Sequence, residues 1–119
     1  MADPSATGVN PDLDALHDTL IARNQQLSNS LDTITDPKLA QSVVTEMREM
    51  VHRIDLVQSL LFTAASAQIT AAVNDVQSAN ATLTTSLKTI QSVTTLVNTV
   101  TDFLTVVDKA IDLAKTLAV

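Results

Sequence analysis

Leu13, Leu16, Leu20, Leu27, Leu31 and Ile34 fall three, four or seven positions apart, the spacing that lines one face of an α-helix. A second stripe, Ala40, Val43, Met47, Met50, Ile54, Val57, Leu61 and Ala64, keeps the alternation of three and four, slips by one between Ala64 and Gln68, and resumes at Ile69. From there Ile69, Val76, Leu83, Ile90, Val97, Leu104, Ile111 and Ala118 recur every seven residues. Ala72, Ala79, Ser86, Val93, Val100, Val107 and Ala114 follow three positions behind. Only Ser86 is polar in this double row, which predicts a heptad seam buried in a helical bundle rather than a ligand site.

Asn10-Pro11-Asp12 and Asp36-Pro37-Lys38 write two helix starts. Each places a side-chain acceptor at the cap and a proline at the first helical position, where no amide donor is lost. The first helix is predicted from Pro11 to about Thr33, residues 1–9 as a flexible tail, and 10–119 as a single helical domain. After Pro37 no Gly or Pro occurs for eighty-two residues. One helix over that stretch would be about 120 Å long, which only a larger coiled assembly could accommodate, so a chain reversal is favoured. Ser78-Ala79-Asn80-Ala81-Thr82, followed by Thr84, Thr85 and Ser86, groups side chains that compete for backbone hydrogen bonds. This favours an all-α fold built as an elongated antiparallel helical hairpin with its tip there and the shorter N-terminal helix packed on it. The alternative is a compact four-helix bundle with breaks near Ala64 to Gln68 and near Thr94.

Between Leu56 and Thr101 only Asp75 and Lys88 are charged. In a hairpin this neutral zone is symmetric about the tip, and each arm of about 22 residues is roughly 33 Å long. Interface cores are depleted of charge, and hydroxyl and amide groups bond across helices without the desolvation penalty of an ion. Thr63, Gln68, Thr70, Thr84, Thr89, Gln91, Thr95 and Asn98 are therefore the candidate interface. The expected function is that of a non-catalytic interaction or assembly protein that self-associates or binds a helical partner. The alternative is a membrane-active component of a helical pore that inserts the hairpin tip, since the arm length matches a bilayer core and its polar face can line water.

Composition narrows the chemistry further. The net charge of -6, with seven scattered basic residues, argues against nucleic acid as a partner. No Cys is present, which removes thiol nucleophiles, thiolate metal sites and disulfides. One Gly and no Trp or Tyr leave none of the usual materials of a cofactor pocket. No nucleophile stands beside a base, so no catalytic residue, cofactor or metal ligand is assigned. His17 near Asp14 and Asp18 lacks a second His at helical spacing and is expected on a solvated face. His52 lies in a cluster that Glu49 to Arg53 ion pairing accounts for, and Met47 and Met50 sit on the core stripe. Asn80-Ala81-Thr82 has the form of a glycosylation acceptor, but a turn is the expected role. MADPSATGVN has neither the basic nor the apolar region of a signal peptide, which fits a cytoplasmic or leaderless-secreted chain.

Overall fold

The computed structural model describes residues 8–90 and 92–118. It comprises α1 (Pro11–Ser30), a single 3-10 turn (Leu31–Thr33), α2 (Pro37–Ser59), α3 (Ala67–Lys88) and α4 (Val93–Leu117), with no strand among the described residues. The all-α reading holds. Both proline-led starts form as expected: the Asn10 side chain accepts from Asp12 and Leu13 N–H, and that of Asp36 accepts from Lys38 N–H.

The reversal is not where the hydroxyl cluster placed it. α3 runs unbroken through residues 78–86, and the chain turns instead after Ser59 and after Lys88, so the favoured hairpin gives way to the four-helix alternative. The physical reason lies in where each hydroxyl finds its partner. Thr84 and Thr85 donate to the Asn80 and Ala81 carbonyls at 2.8 and 3.1 Å, four residues back, and so satisfy themselves inside a continuous helix. Ser66 and Ser92 instead accept from Gln68 and Thr95 N–H at 3.1 and 3.3 Å and cap new helices. The overall extents of 47 × 29 × 21 Å agree. A hairpin arm from Lys38 to a tip near Ser78 would by itself need roughly 60 Å.

The helices pack in the cyclic order α1, α2, α4, α3, with α1 opposite α4 and α2 opposite α3 across the bundle. Hydrogen bonds fix the directions. Asp12 with Thr70, Thr19 with Gln77 and Arg23 with Thr84 climb together, so α1 and α3 are parallel. Glu46 with Thr101 and Arg53 with Asp108 do the same for α2 and α4. The hairpins α1/α2 and α3/α4 are each antiparallel. In a simple up-and-down bundle consecutive helices are neighbours, whereas here the loop Leu60–Ser66 joins two helices on a diagonal and passes over the end of the bundle.

The core is continuous through all four helices. It takes Leu13, Leu16, Leu20 and Leu27 from α1, Val43, Met50 and Val57 from α2, and Ile69, Val73, Val76 and Leu83 from α3. α4 contributes the broadest arc, Leu96, Val100, Phe103, Leu104, Val107, Ala110, Ile111 and Ala114. The heptad row is buried as expected at Ile69, Val76, Leu83, Leu104 and Ile111, but Ile90 and Val97 are only half-buried and Ala118 is exposed. α4 packs on both α3 and α2, which turns its buried face toward Leu96, Phe103 and Ala110.

Candidate interaction surface

The two turns of the fold divide the uncharged stretch between opposite ends of the bundle. Thr63, Gln68 and Thr70 lie at the end that carries the start of α1 and the crossover loop. Thr84, Thr89, Thr95 and Asn98 lie toward the other end, where α3 finishes and α4 begins. Gln91 lies outside the described residues.

Several of these side chains already have partners within the bundle. Thr63 is 8% exposed, and its carbonyl accepts from the Asn10 side chain at 3.1 Å. Thr70 Oγ1 donates to Asp12 Oδ2 at 2.6 Å. Thr84 Oγ1 accepts from the Arg23 guanidinium and is half-buried in the α1/α3 seam. Gln68, Thr89, Thr95 and Asn98 are exposed.

The structure brings Thr89 and Thr95 together on one groove. Its walls are Thr82, Thr85, Ser86 and Thr89 of the α3 end and Ser92, Thr95 and Thr99 of the α4 start, enclosing about 310 Å³. Every described residue of the lining bears a hydroxyl and none bears a charge. Thr85 and Thr99 donate to the Ala81 and Thr95 carbonyls at 3.1 and 2.9 Å and keep their oxygens as acceptors. The hydroxyls of Thr82, Ser86, Thr89 and Thr95 bond to no other described residue. Thr82, Thr85, Ser86, Ser92 and Thr99 are absent from the candidate set drawn from the sequence. Their signal was nonetheless there: hydroxyls at 82, 85, 86 and 89, and again at 92, 95 and 99, repeat with the spacing of one helical face.

Charge concentrates instead on the α2/α4 side. Arg53 forms a two-pronged pair with Asp108, Nε to Oδ1 at 2.8 Å and Nη2 to Oδ2 at 3.0 Å, while Nη1 reaches Glu49 Oε2 at 3.0 Å. Partial burial alone would lower the Arg53 pKa, but the hydrogen bonds to Asp108 and Glu49 outweigh it and hold the guanidinium above its ordinary value. The expected Glu49–Arg53 pair forms, and Asp108 completes it across 55 residues of chain.

His17 Nε2 is buried without a hydrogen-bond partner, and the described residues contain no group of three or more side chains able to hold a metal ion. At the crossover end Phe62, 73% exposed, and Leu117, 39% exposed, line one shallow pocket. No helix among the described residues is long and apolar enough to cross a membrane. No protein-family model, curated protein or solved structure matches the chain.

Proposed function

We propose that the protein is a non-catalytic helical interaction module, which associates with a second copy of itself or with a partner helix through the α3/α4 groove. The observation that carries this reading is a groove of about 310 Å³ walled, among the described residues, by seven hydroxyl side chains and no ionisable one. Burying a charge there would cost several kcal/mol per unpaired ion. Thr85 and Thr99, whose hydroxyls already donate to a carbonyl of their own helix, lose little on leaving water and still offer an acceptor to an incoming helix, while the hydroxyls of Thr82, Ser86, Thr89 and Thr95 have donors to give it. The threonine methyl groups supply apolar contact. Sedimentation velocity over a wide concentration range tests the reading. Wild-type protein is expected to gain mass reversibly with concentration, and Thr85→Lys or Thr95→Glu to abolish the gain while the circular dichroism stays helical. A strict monomer that also captures no helical partner, or association indifferent to both substitutions, sinks it.

A second reading rests on Phe62. The chain is uncharged from Leu56 to Asn74, and this stretch includes the crossover loop with its exposed aromatic ring, a composition suited to resting in a lipid headgroup region. Contact of this kind requires no helix to span the bilayer. Dye release from phosphatidylcholine vesicles that is lost in Phe62→Ser supports it, and the absence of both binding and release removes it.

A further inference from the structure

From the chemistry of the crossover loop we infer that Leu60–Ser66 is a hinge, at which the bundle opens into its two hairpins. Two copies then exchange them, so that α3/α4 of one chain packs on α1/α2 of the other. This inference is independent of the groove, which lies at the opposite end of the molecule.

Apart from Ser66, which caps α3, the loop is short of turn-forming residues. Leu60, Leu61, Phe62, Thr63, Ala64, Ala65 and Ser66 include no Gly, Pro, Asn or Asp, and the only described residue with positive φ is Gly8. Leucine and alanine are among the strongest helix formers, so local preference conflicts with the observed shape, a conflict that marks a poised element. Short backbone bonds from Leu60, Leu61 and Thr63 N–H to the Val57, Gln58 and Leu60 carbonyls fold its first half, and the rest of the shape is held from outside. Asn10 N–H donates to the Leu61 carbonyl at 2.7 Å, and Asn10 Nδ2 donates to the Thr63 and Ala64 carbonyls at 3.1 and 3.3 Å. In a continuous helix those three carbonyls would accept from the amides of Ala65, Ala67 and Gln68. Asn10 thus stands in for the donors that a helix would provide. Releasing it lets α2 and α3 join as one rod over Pro37–Lys88, about 78 Å long.

The occupant of the opened face follows from what covers it in the closed chain. The side-chain pairs joining the two hairpins are Asp12–Thr70, Thr19–Gln77, Arg23–Thr84, Glu46–Thr101 and Arg53–Asp108. Hairpin α3/α4 of a second copy carries the same partners in the same register, together with the same core face. No other protein is complementary by construction, and exchange of identical elements is a low-cost route to a dimer. The diagonal topology makes it geometrically possible. A twofold axis at the crossover end, directed along the α1 to α4 diagonal, sets α2 of one bundle in line with α3 of the other. Phe62, stranded in solvent in the closed form, then falls in the middle of the rod.

Refolding from denaturant at high and at low protein concentration, followed by light scattering after dilution, tests the exchange. High concentration is expected to trap a dimer that persists on dilution, because separation requires opening both bundles. The double variant Ala64→Gly/Ala65→Gly disfavours the rod at four positions per dimer. It is expected to weaken dimer formation by at least about a hundredfold while the closed monomer keeps its melting temperature within a few degrees. Chains carrying Arg53→Cys co-refolded with chains carrying Asp108→Cys, then oxidised, should give a disulfide-linked heterodimer well above the level seen with either variant alone. Monomer at every refolding concentration overturns the inference. So does a dimer that dissociates promptly on dilution and responds to Thr95→Glu but not to the glycine pair, an outcome that would instead support association through the groove.

Discussion

The Asn10 side-chain amide donates to the Thr63 carbonyl at 3.1 Å across 53 residues of chain, while the same side chain accepts from the Asp12 and Leu13 amides at 3.0 and 3.2 Å. One residue, 2% exposed, caps α1 and fixes the diagonal connection of the bundle.

This double duty predicts an unusual substitution pattern. Asp is as good an N-cap as Asn, but a carboxylate cannot donate and would face the Thr63 and Ala64 carbonyls. Asn10→Ala is expected to cost about 2–3 kcal/mol, the loss of a cap plus buried carbonyls left unpaired. Asn10→Asp should cost at least as much rather than being neutral. Urea unfolding followed by circular dichroism measures both. An Asp variant as stable as wild type would show that the donated bonds to the loop contribute nothing.

The helical stripes of α1 and α2, both Asn/Asp-Pro starts and most of the α3/α4 seam were legible from spacing alone, because a 3.6-residue period and a capped proline are local properties. Turn positions were not. Ser66 and Ser92 cap helices, whereas Thr84 and Thr85 lie mid-helix, and a hydroxyl's identity does not say whether it will bond forward to an amide or backward to a carbonyl. The slip in the stripe between Ala64 and Gln68 was the truer signal of a break, since a buried face cannot rotate abruptly within one straight helix. The groove was half legible for a similar reason. Thr89 and Thr95 stand out as neutral polar positions, but bringing α3 against α4 at that end depends on the turn after Lys88, which only the four-helix alternative anticipates, a few residues late, near Thr94. Thr63 and Thr84 point to the converse difficulty: residues polar in sequence can be occupied inside the bundle.

The same distinction is measurable at the caps. Ser66→Ala removes the acceptor for Gln68 N–H and Ser92→Ala that for Thr95 N–H, and each is expected to destabilise by about 1 kcal/mol. Thr85→Ala removes only a bond back to Ala81 and replaces Thr with a better helix former, so it should be neutral or slightly stabilising. Thermal melts of the three variants decide the matter. Equal losses at all three would mean that the hydroxyl of Thr85 does more than satisfy its own helix.

Arg53 and Asp108 latch the two hairpins, and their side chains are 15% and 47% exposed. Solvent on the Asp108 side moderates the pair, so Asp108→Ala should cost about 1–2 kcal/mol and a double-mutant cycle with Arg53→Met return a coupling near 1 kcal/mol. The pH sign follows from the raised pKa of Arg53. Stability from a raised basic group is complete below its unfolded pKa and is lost only as pH climbs through the still higher folded pKa, both far into the alkaline range. Ionisation of Arg53 therefore adds no pH dependence between neutrality and pH 10, and salt should weaken the coupling more than alkali does. A coupling that disappears on moving from pH 7 to pH 9 would contradict this assignment.

The two phenylalanines of the chain make a final contrast. Phe103 is 1% exposed in the middle of the α4 core, while Phe62 is 73% exposed on the crossover loop, with its ring 3.5 Å from where a Cβ on Gly8 would stand. Truncating Phe103 to Ala opens a cavity at the centre of the bundle and is expected to cost about 3–5 kcal/mol. Phe62→Ser removes a ring that is mostly in water, and its cost should stay below about 1 kcal/mol. If Phe62 instead proves as costly as Phe103 by urea unfolding of dilute protein, the loop side chain must be buried in the closed monomer, and its proposed contact with lipid and its place at the hinge would both lose their basis. Unchanged stability, combined with loss of vesicle binding or of the trapped dimer in Phe62→Ser, would show that the exposed ring serves an activity outside the closed fold.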